Sequence, residues 1–233
     1  MLDISDSLTE KMLKSGFQFG YSKVSRHPKM KPFIFASKIG VEIFDLEKIK
    51  AKLDAAKKFL RELGKEKKTI IFVSTKRGTG NIVEEFAQEI NMPYVTTRWI
   101  GGTLTNFNQI KKQVDYLNEL LIKRENKENE KYTKKERLLI DRKIAKMEKL
   151  LAGLKNYPAK PSALLIIDSK HEEVAVKEAR QEGIPVVALL NSDCNPDLVD
   201  YPVPGNDSSV SSVRFFLEEM VKAYKEGLKD SQN

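Results

Sequence analysis

The sequence predicts an α/β protein built on a parallel sheet, and three observations carry that prediction. Short apolar runs recur at 69–74 (Thr-Ile-Ile-Phe-Val-Ser), 163–167 (Ala-Leu-Leu-Ile-Ile) and 185–190 (Pro-Val-Val-Ala-Leu-Leu), without the polar alternation of a half-exposed strand. They read as strands buried on both faces. Helical patterns alternate with these runs, as expected when helices wrap a parallel sheet. One long stretch, 108–155, breaks the alternation with two apolar heptad seams.

In chain order, residues 33–36 and 41–44 flank Lys38-Ile39-Gly40 and predict a small hairpin. Residues 45–63 follow with helical spacing and end before Gly64, a glycine placed where a helix usually stops. The buried run at 69–74 leads to a helix at 81–90, and 94–96 is a weaker strand candidate. After the interruption come the strand at 163–167, a helix at 171–182 before Gly183 and the strand at 185–190. A weaker strand at 199–203 and a helix from 207 to about 226 complete the alternation.

Within 108–155, Ile110, Val114, Leu117 and Leu121 are spaced 4, 3, 4, and Ile140, Ile144, Met147, Leu151 and Leu154 repeat the seam. The segment 123–132 between them is polar and charged, and Thr133 with Glu136 has the capping-box spacing that restarts a helix. Two such helices predict an antiparallel hairpin roughly 25–30 Å long, too narrow for a core of its own. The expected division is therefore a globular unit of 1–107 and 156–233 interrupted by a coiled-coil hairpin at 108–155.

The 233 residues suffice for one domain with an appendage, burying roughly 70–75% of the unfolded surface. Cys194 is the sole cysteine, which excludes an intrachain disulfide and a cysteine-based metal site. No run reaches the roughly 18 apolar residues of a membrane span, and the N-terminus lacks a signal-like apolar segment; the expectation is a cytoplasmic protein without membrane contact. The net charge of +8 is unevenly spread: +7 over 1–68, zero over 69–107, +6 over 108–155 and −5 over 156–233. Two basic blocks with an acidic remainder suggest a polyanion docked on one side.

The chemically richest stretch is 98–107, Arg-Trp-Ile-Gly-Gly-Thr-Leu-Thr-Asn-Phe. Glycine permits close backbone approach, the Arg98 guanidinium fits phosphate, and Trp99 or Phe107 could stack or wedge, so the segment has the chemistry of an RNA-facing loop. The alternative is a helix entry in which Thr105 caps the helix and Trp99 fills the core. A second candidate is 74–81, Ser-Thr-Lys-Arg-Gly-Thr-Gly-Asn, which follows a strand and opens a helix as phosphate loops do. Val83 stands where the third glycine of a dinucleotide fingerprint belongs, and no Gly-Lys-Ser/Thr sequence is present. A nucleotide-binding enzyme on a doubly wound sheet is therefore the rival reading. His27 and His171, the two histidines, have no metal-ligand spacing, and Cys194 has no histidine near it in sequence to activate it. His171 reads as a first-turn surface residue, and Asp168 as one that orders its turn.

The ordered motifs resemble the universal small-subunit ribosomal protein family S-two in its bacterial form. The resemblance rests on Gly16-Phe17-Gln18-Phe19-Gly20, Pro28-Lys29-Met30-Lys31-Pro32, Thr75-Lys76-Arg77 and Arg98-Trp99-Ile100-Gly101-Gly102-Thr103-Leu104-Thr105-Asn106. It continues through Thr133-Lys134-Lys135-Glu136, Asp168 with His171-Glu172, Glu178-Ala179, Gly183-Ile184-Pro185-Val186 and Pro204-Gly205-Asn206-Asp207. It implies a flavodoxin-like doubly wound sheet with an inserted helical hairpin, no enzymatic activity and no cofactor. It also implies binding to small-subunit ribosomal RNA and to neighbouring ribosomal proteins, including the one that recruits messenger RNA, with no small-molecule substrate. The family usually has histidine on both sides of Phe19-Gly20; here Gln18 and Tyr21 stand there, so no metal-binding role is carried over to them.

On these grounds the expected RNA contacts fall into three groups. Lys23, Arg26, Lys29 and Lys31 form a front basic loop. Lys76 and Arg77 lie at a helix N-terminus. Arg98, Trp99, Thr105 and Asn106 form the glycine-rich contact, which Lys111 and Lys112 extend onto the first hairpin helix. Phosphate neutralisation should dominate affinity, with stacking added by Trp99 if its ring is exposed.

Overall fold

A computed structural model describes residues 7–126, 133–155 and 160–231. A first helix, α1 (Ser7–Ser15), leads into β1 (Phe19–Ser22), β2 (Ile34–Lys38) and β3 (Val41–Phe44), an antiparallel sheet in the order β1-β3-β2. The expected hairpin is present as β2 and β3. Its turn residues Ile39 and Gly40 have φ of 52° and 78°, the positive pair that matches the twist of a tight hairpin. Sequence reading missed β1, which pairs with β3 from the other side.

The helix α2 (Leu46–Lys65) starts on Asp45, whose side chain accepts hydrogen bonds from the Glu47 and Lys48 amides at 3.2 and 3.4 Å, satisfying amides that the first turn leaves unpaired. Leu46, Ile49, Leu53, Ala56, Leu60 and Leu63 form its buried stripe. Gly64 does not terminate the helix as expected; it lies inside, where α2 crosses the last helix, α7 (Val210–Asp230). A Cβ on Gly64 would sit 2.2 Å from the Tyr224 carbonyl oxygen, and one on Gly227 would sit 2.0 Å from that of Arg61. The two backbones touch, and only hydrogen fits between them.

The main sheet consists of β4 (Ile70–Val73), β5 (Tyr94–Val95), β6 (Ala163–Ile167), β7 (Val186–Leu190) and β8 (Tyr201–Pro204). All pairings are parallel and the order is β5-β4-β6-β7-β8. Counting only these strands the order is 2-1-3-4-5, the doubly wound arrangement of flavodoxin-like sheets. Every residue of β4, β6 and β7 is buried, as their apolar runs require. The helix α3 (Gly80–Glu89) follows β4, and α6 (Glu173–Gln181) follows β6. Gly183, at φ 66°, lets the chain leave α6 as expected. The final strand begins at Tyr201, two residues later than its sequence candidate.

Between β5 and β6 run α4 (Phe107–Glu125) and α5 (Lys134–Leu151). The Thr133–Glu136 capping box is formed, with both reciprocal bonds. Ile110, Val114, Leu117, Ile144, Leu151 and Leu154 are buried, and Leu121, Ile140 and Met147 pack against the core. The two helices touch each other, with Lys143 Nζ donating to the Tyr116 hydroxyl at 2.9 Å. Residues 127–132 of the polar connection, and 156–159 at the boundary between the expected units, lie outside the described residues.

Candidate nucleic-acid interface

The segment after β5 folds around one carboxylate. Glu178, on the inner face of α6, accepts hydrogen bonds through Oε1 from Trp99 Nε1 (3.2 Å) and the Gly102 amide (2.8 Å). Its Oε2 accepts from the Leu104 amide (3.0 Å), the Thr105 amide (3.3 Å) and the Thr105 hydroxyl (3.3 Å). Gly102, at φ 94°, makes the turn that points these amides inward. Burial pushes the Glu178 carboxyl up, but the bonds from Leu104, Gly102, Trp99 and Thr105 outweigh it and hold it below the usual carboxylate range.

This arrangement sorts the predicted contacts. Trp99 is buried, 8% exposed, with its N–H spent on Glu178. It fills the core, and the stacking expected of an exposed ring is not available to it. Thr105 does not cap the helix: Asn106 is the N-cap residue of α4, and the Thr105 hydroxyl goes to Glu178. Arg98, Gly101, Thr105 and Asn106 have exposed surface, and Lys111 and Lys112 are exposed on α4. Arg98, Lys111 and Lys112 have no ion-pair partner among the described residues.

The front loop divides likewise. Lys23 and Lys31 are exposed and unpaired among the described residues. Arg26 donates to the fully buried Glu42 at 3.2 Å, and Lys29 is ion-paired with Asp197. The loop is fastened to the main sheet by the His27 amide, which donates to the Ser192 carbonyl at 2.8 Å.

Lys76 is further from its expected role. Its ammonium lies 2.8 Å from Asp207, 3.3 Å from Asp168 and 2.8 Å from the Tyr21 hydroxyl. Burial lowers the Lys76 pKa, but the bonds to Asp207 and Tyr21 and the two carboxylate charges raise it above the ordinary lysine range. Burial likewise opposes ionisation of Asp207, yet the bonds from Asn191 and Lys76 hold its carboxyl low. Burial, reinforced by the charge of Asp207, pushes Asp168 up. Arg77, next along the chain, is exposed and unpaired among the described residues.

This cluster occupies the crevice at the carboxyl ends of β4 and β6, where the strand order reverses and doubly wound proteins bind ligands. Here the chain fills the crevice itself. Tyr21 brings β1 across it, its amide donating to Asn191 Oδ1 at 3.0 Å and Ser192 Oγ at 2.9 Å. The Thr75 amide and hydroxyl, which would face a phosphate, both donate to Glu172, whose carboxyl burial pushes up. Three carboxylates around the loop repel a phosphate, so the nucleotide reading loses its site. Asp168 orders its turn by accepting from the Lys170 and His171 amides at 3.1 and 3.0 Å, and His171 is exposed. Burial pushes the Cys194 thiol up to about 12, leaving a protonated sulfur rather than a nucleophile.

Glu178, Tyr21 and Asp207 were not singled out by side-chain chemistry in the sequence. Their partners lie far along the chain, Trp99 to Glu178 being 79 residues apart and Lys76 to Asp207 being 131; only membership of shared motifs pointed to Glu178 and Asp207.

A sequence model of the family described as ribosomal protein S2 matches residues 12–227. The chain is 43% identical over 216 residues to the small ribosomal subunit protein uS2 of Nitratiruptor sp., covering 93% of this chain and 81% of the relative. The proteins of the same name from Coprothermobacter proteolyticus and Dictyoglomus thermophilum are 41% and 39% identical, covering 96% and 94% of this chain and 83% and 89% of theirs.

Proposed function

The chain belongs to the ribosomal protein S2 family, and we propose that it docks on small-subunit ribosomal RNA through its unpaired surface cations: Lys23, Lys31, Arg77, Arg98, Lys111 and Lys112. The family is one of structural, non-catalytic ribosomal proteins, which makes this a constituent of the small subunit in translation. The observation that carries the residue assignment is the division of the predicted basic residues into paired and unpaired sets. A cation held by a carboxylate must give up that partner to neutralise a phosphate, whereas an exposed, unpaired one releases only water and counterions.

The helices α4 and α5 form, in this reading, an antiparallel coiled-coil arm at 108–155, inserted into a globular unit of 1–107 and 156–233. Support comes from the buried seam residues of both helices, the Tyr116–Lys143 bond and the net +6 charge of the stretch. Neighbouring proteins of the subunit, including the one that recruits messenger RNA, complete the set of partners; Val24, Phe35 and Ile39, 98%, 68% and 94% exposed, offer apolar surface for a protein contact.

The test is retention of small-subunit RNA by the purified protein. Arg98→Ala should weaken binding with little change in melting temperature. Unchanged affinity in the folded variant would remove Arg98 from the interface.

A further inference from the structure

The loop that presents Arg98 has no regular secondary structure of its own, and its order comes from across the fold. Arg98 and Asn106 bracket a segment from which five donors converge on a single side chain, while the buried Thr103 hydroxyl donates within the loop to the Ile100 carbonyl at 2.6 Å. The side chain is Glu178, and the five are the Trp99 ring N–H, the amides of Gly102, Leu104 and Thr105, and the Thr105 hydroxyl. Trp99 and Leu104 are thereby drawn into the core at 8% and 2% exposure, while Arg98, Thr105 and Asn106 remain at the surface. The space beside Gly101 is open: a Cβ there would meet nothing within 4 Å. One side of the turn is pinned to α6, and the other is clear for a bulky partner to approach.

We infer that Glu178 is a positioning residue for RNA recognition, holding the 98–106 loop in its docking shape by accepting five hydrogen bonds from it. The inference rests on the reading of that loop as RNA-facing. Glu178 itself is buried and touches no RNA; it acts through Arg98 and Asn106. A loop ordered before the encounter does not lose conformational freedom on binding, and that saving appears as affinity. A carboxylate suits the task because its two oxygens only accept, and between them they take all five of these donors.

Glu178→Gln keeps the shape of the side chain but replaces one accepting oxygen with an NH2 group, which must confront either the Trp99 and Gly102 donors or the Leu104 and Thr105 donors. Trp99 is the chain's one tryptophan, so its fluorescence reports this loop alone. The expected result is a cooperatively melting variant with red-shifted Trp99 emission, faster exchange of the Gly102, Leu104 and Thr105 amides, and roughly tenfold weaker binding to transcribed small-subunit ribosomal RNA. Arg98→Ala should cost less affinity in the Glu178→Gln background than in the wild type, because a disordered loop no longer places the guanidinium. Should Glu178→Gln fail to fold, Thr105→Val removes one donor only and should show the same non-additivity at smaller amplitude. Wild-type affinity in the folded variant, or losses that simply add, would make Glu178 a stabilising core residue and overturn the inference. An Arg98→Ala variant that binds RNA as the wild type does would instead overturn the RNA-facing reading, and the inference with it; the altered Trp99 emission would then report a purely structural role.

Discussion

Replacing Lys76 with methionine tests whether its charge serves RNA or the fold. The ammonium stands 2.8 Å from Asp207 and 3.3 Å from Asp168, and Asp207 is fully buried. Removing one member of a buried pair typically costs about 3–5 kcal/mol, because the remaining charge stays desolvated. Two features place Lys76→Met near the lower end. Its side chain is 22% exposed and that of Asp168 is 11%, so water can reach part of the cluster, and Asn191 still donates to Asp207 at 2.6 Å. A loss of about 3 kcal/mol corresponds to a melting temperature lower by roughly 6–12 °C for a chain of this size. The pH dependence has a definite sign. In the wild type the folded Asp207 carboxyl is held low, so its contribution is present above the unfolded aspartate pKa and is lost as pH falls through the folded value. Methionine removes the part of that contribution that Lys76 supplies, leaving the part from Asn191, so the stability gap should be widest near neutrality and narrow below about pH 4. Chemical denaturation at several pH values gives the gap, and RNA retention below the melting range gives the affinity of the folded variant. A variant as stable as wild type that binds RNA several-fold more weakly would refute the structural assignment and return Lys76 to the interface.

Gly227→Ala should destabilise by about 1–3 kcal/mol, since its Cβ would stand 2.0 Å from the Arg61 carbonyl oxygen and the helices must part; a gain in melting temperature, the usual effect of alanine in a free helix, would contradict the backbone contact between α2 and α7. Leu117→Asp combined with Ile144→Asp puts carboxylates at two fully buried positions, so α4 and α5 should lose helicity while the sheet unit still melts cooperatively. The share of this double variant in purified small subunits should fall, and normal incorporation with an unfolded arm would confine docking to the globular unit.

The parts of the fold legible in the sequence are those where one local rule suffices. The runs that became β4, β6 and β7 are apolar on both faces because helices cover both, and the Thr133–Glu136 box is a bond between residues three apart. Gly64 was misread because a glycine that ends a helix and a glycine that lets two helices touch look the same in one dimension. The strand β1 escaped notice because Phe19-Gly20-Tyr21-Ser22 is short, contains glycine and is held by long-range partners. At the candidate interface, residue chemistry was readable and orientation was not. Arg98 and Trp99 are adjacent, yet one is exposed and the other buried, and the difference lies with Glu178 across the fold. Lys31 and Lys29 differ for the same reason: Asp197 reaches only Lys29.

The central claim, that unpaired cations rather than total positive charge dock the RNA, is tested most directly by the salt dependence of binding in two triple variants of equal net charge. One replaces the unpaired Lys31, Arg98 and Lys111 with glutamine. The other makes the same replacement at Lys29, Lys170 and Lys225, which are paired with Asp197, Asp193 and Glu89. Every phosphate that is no longer neutralised by a side chain should reduce the slope of log affinity against log salt by roughly 0.7–0.9. The first variant should therefore show a slope shallower by about 2–3 and the second almost no change; equal reductions in the two would contradict the account.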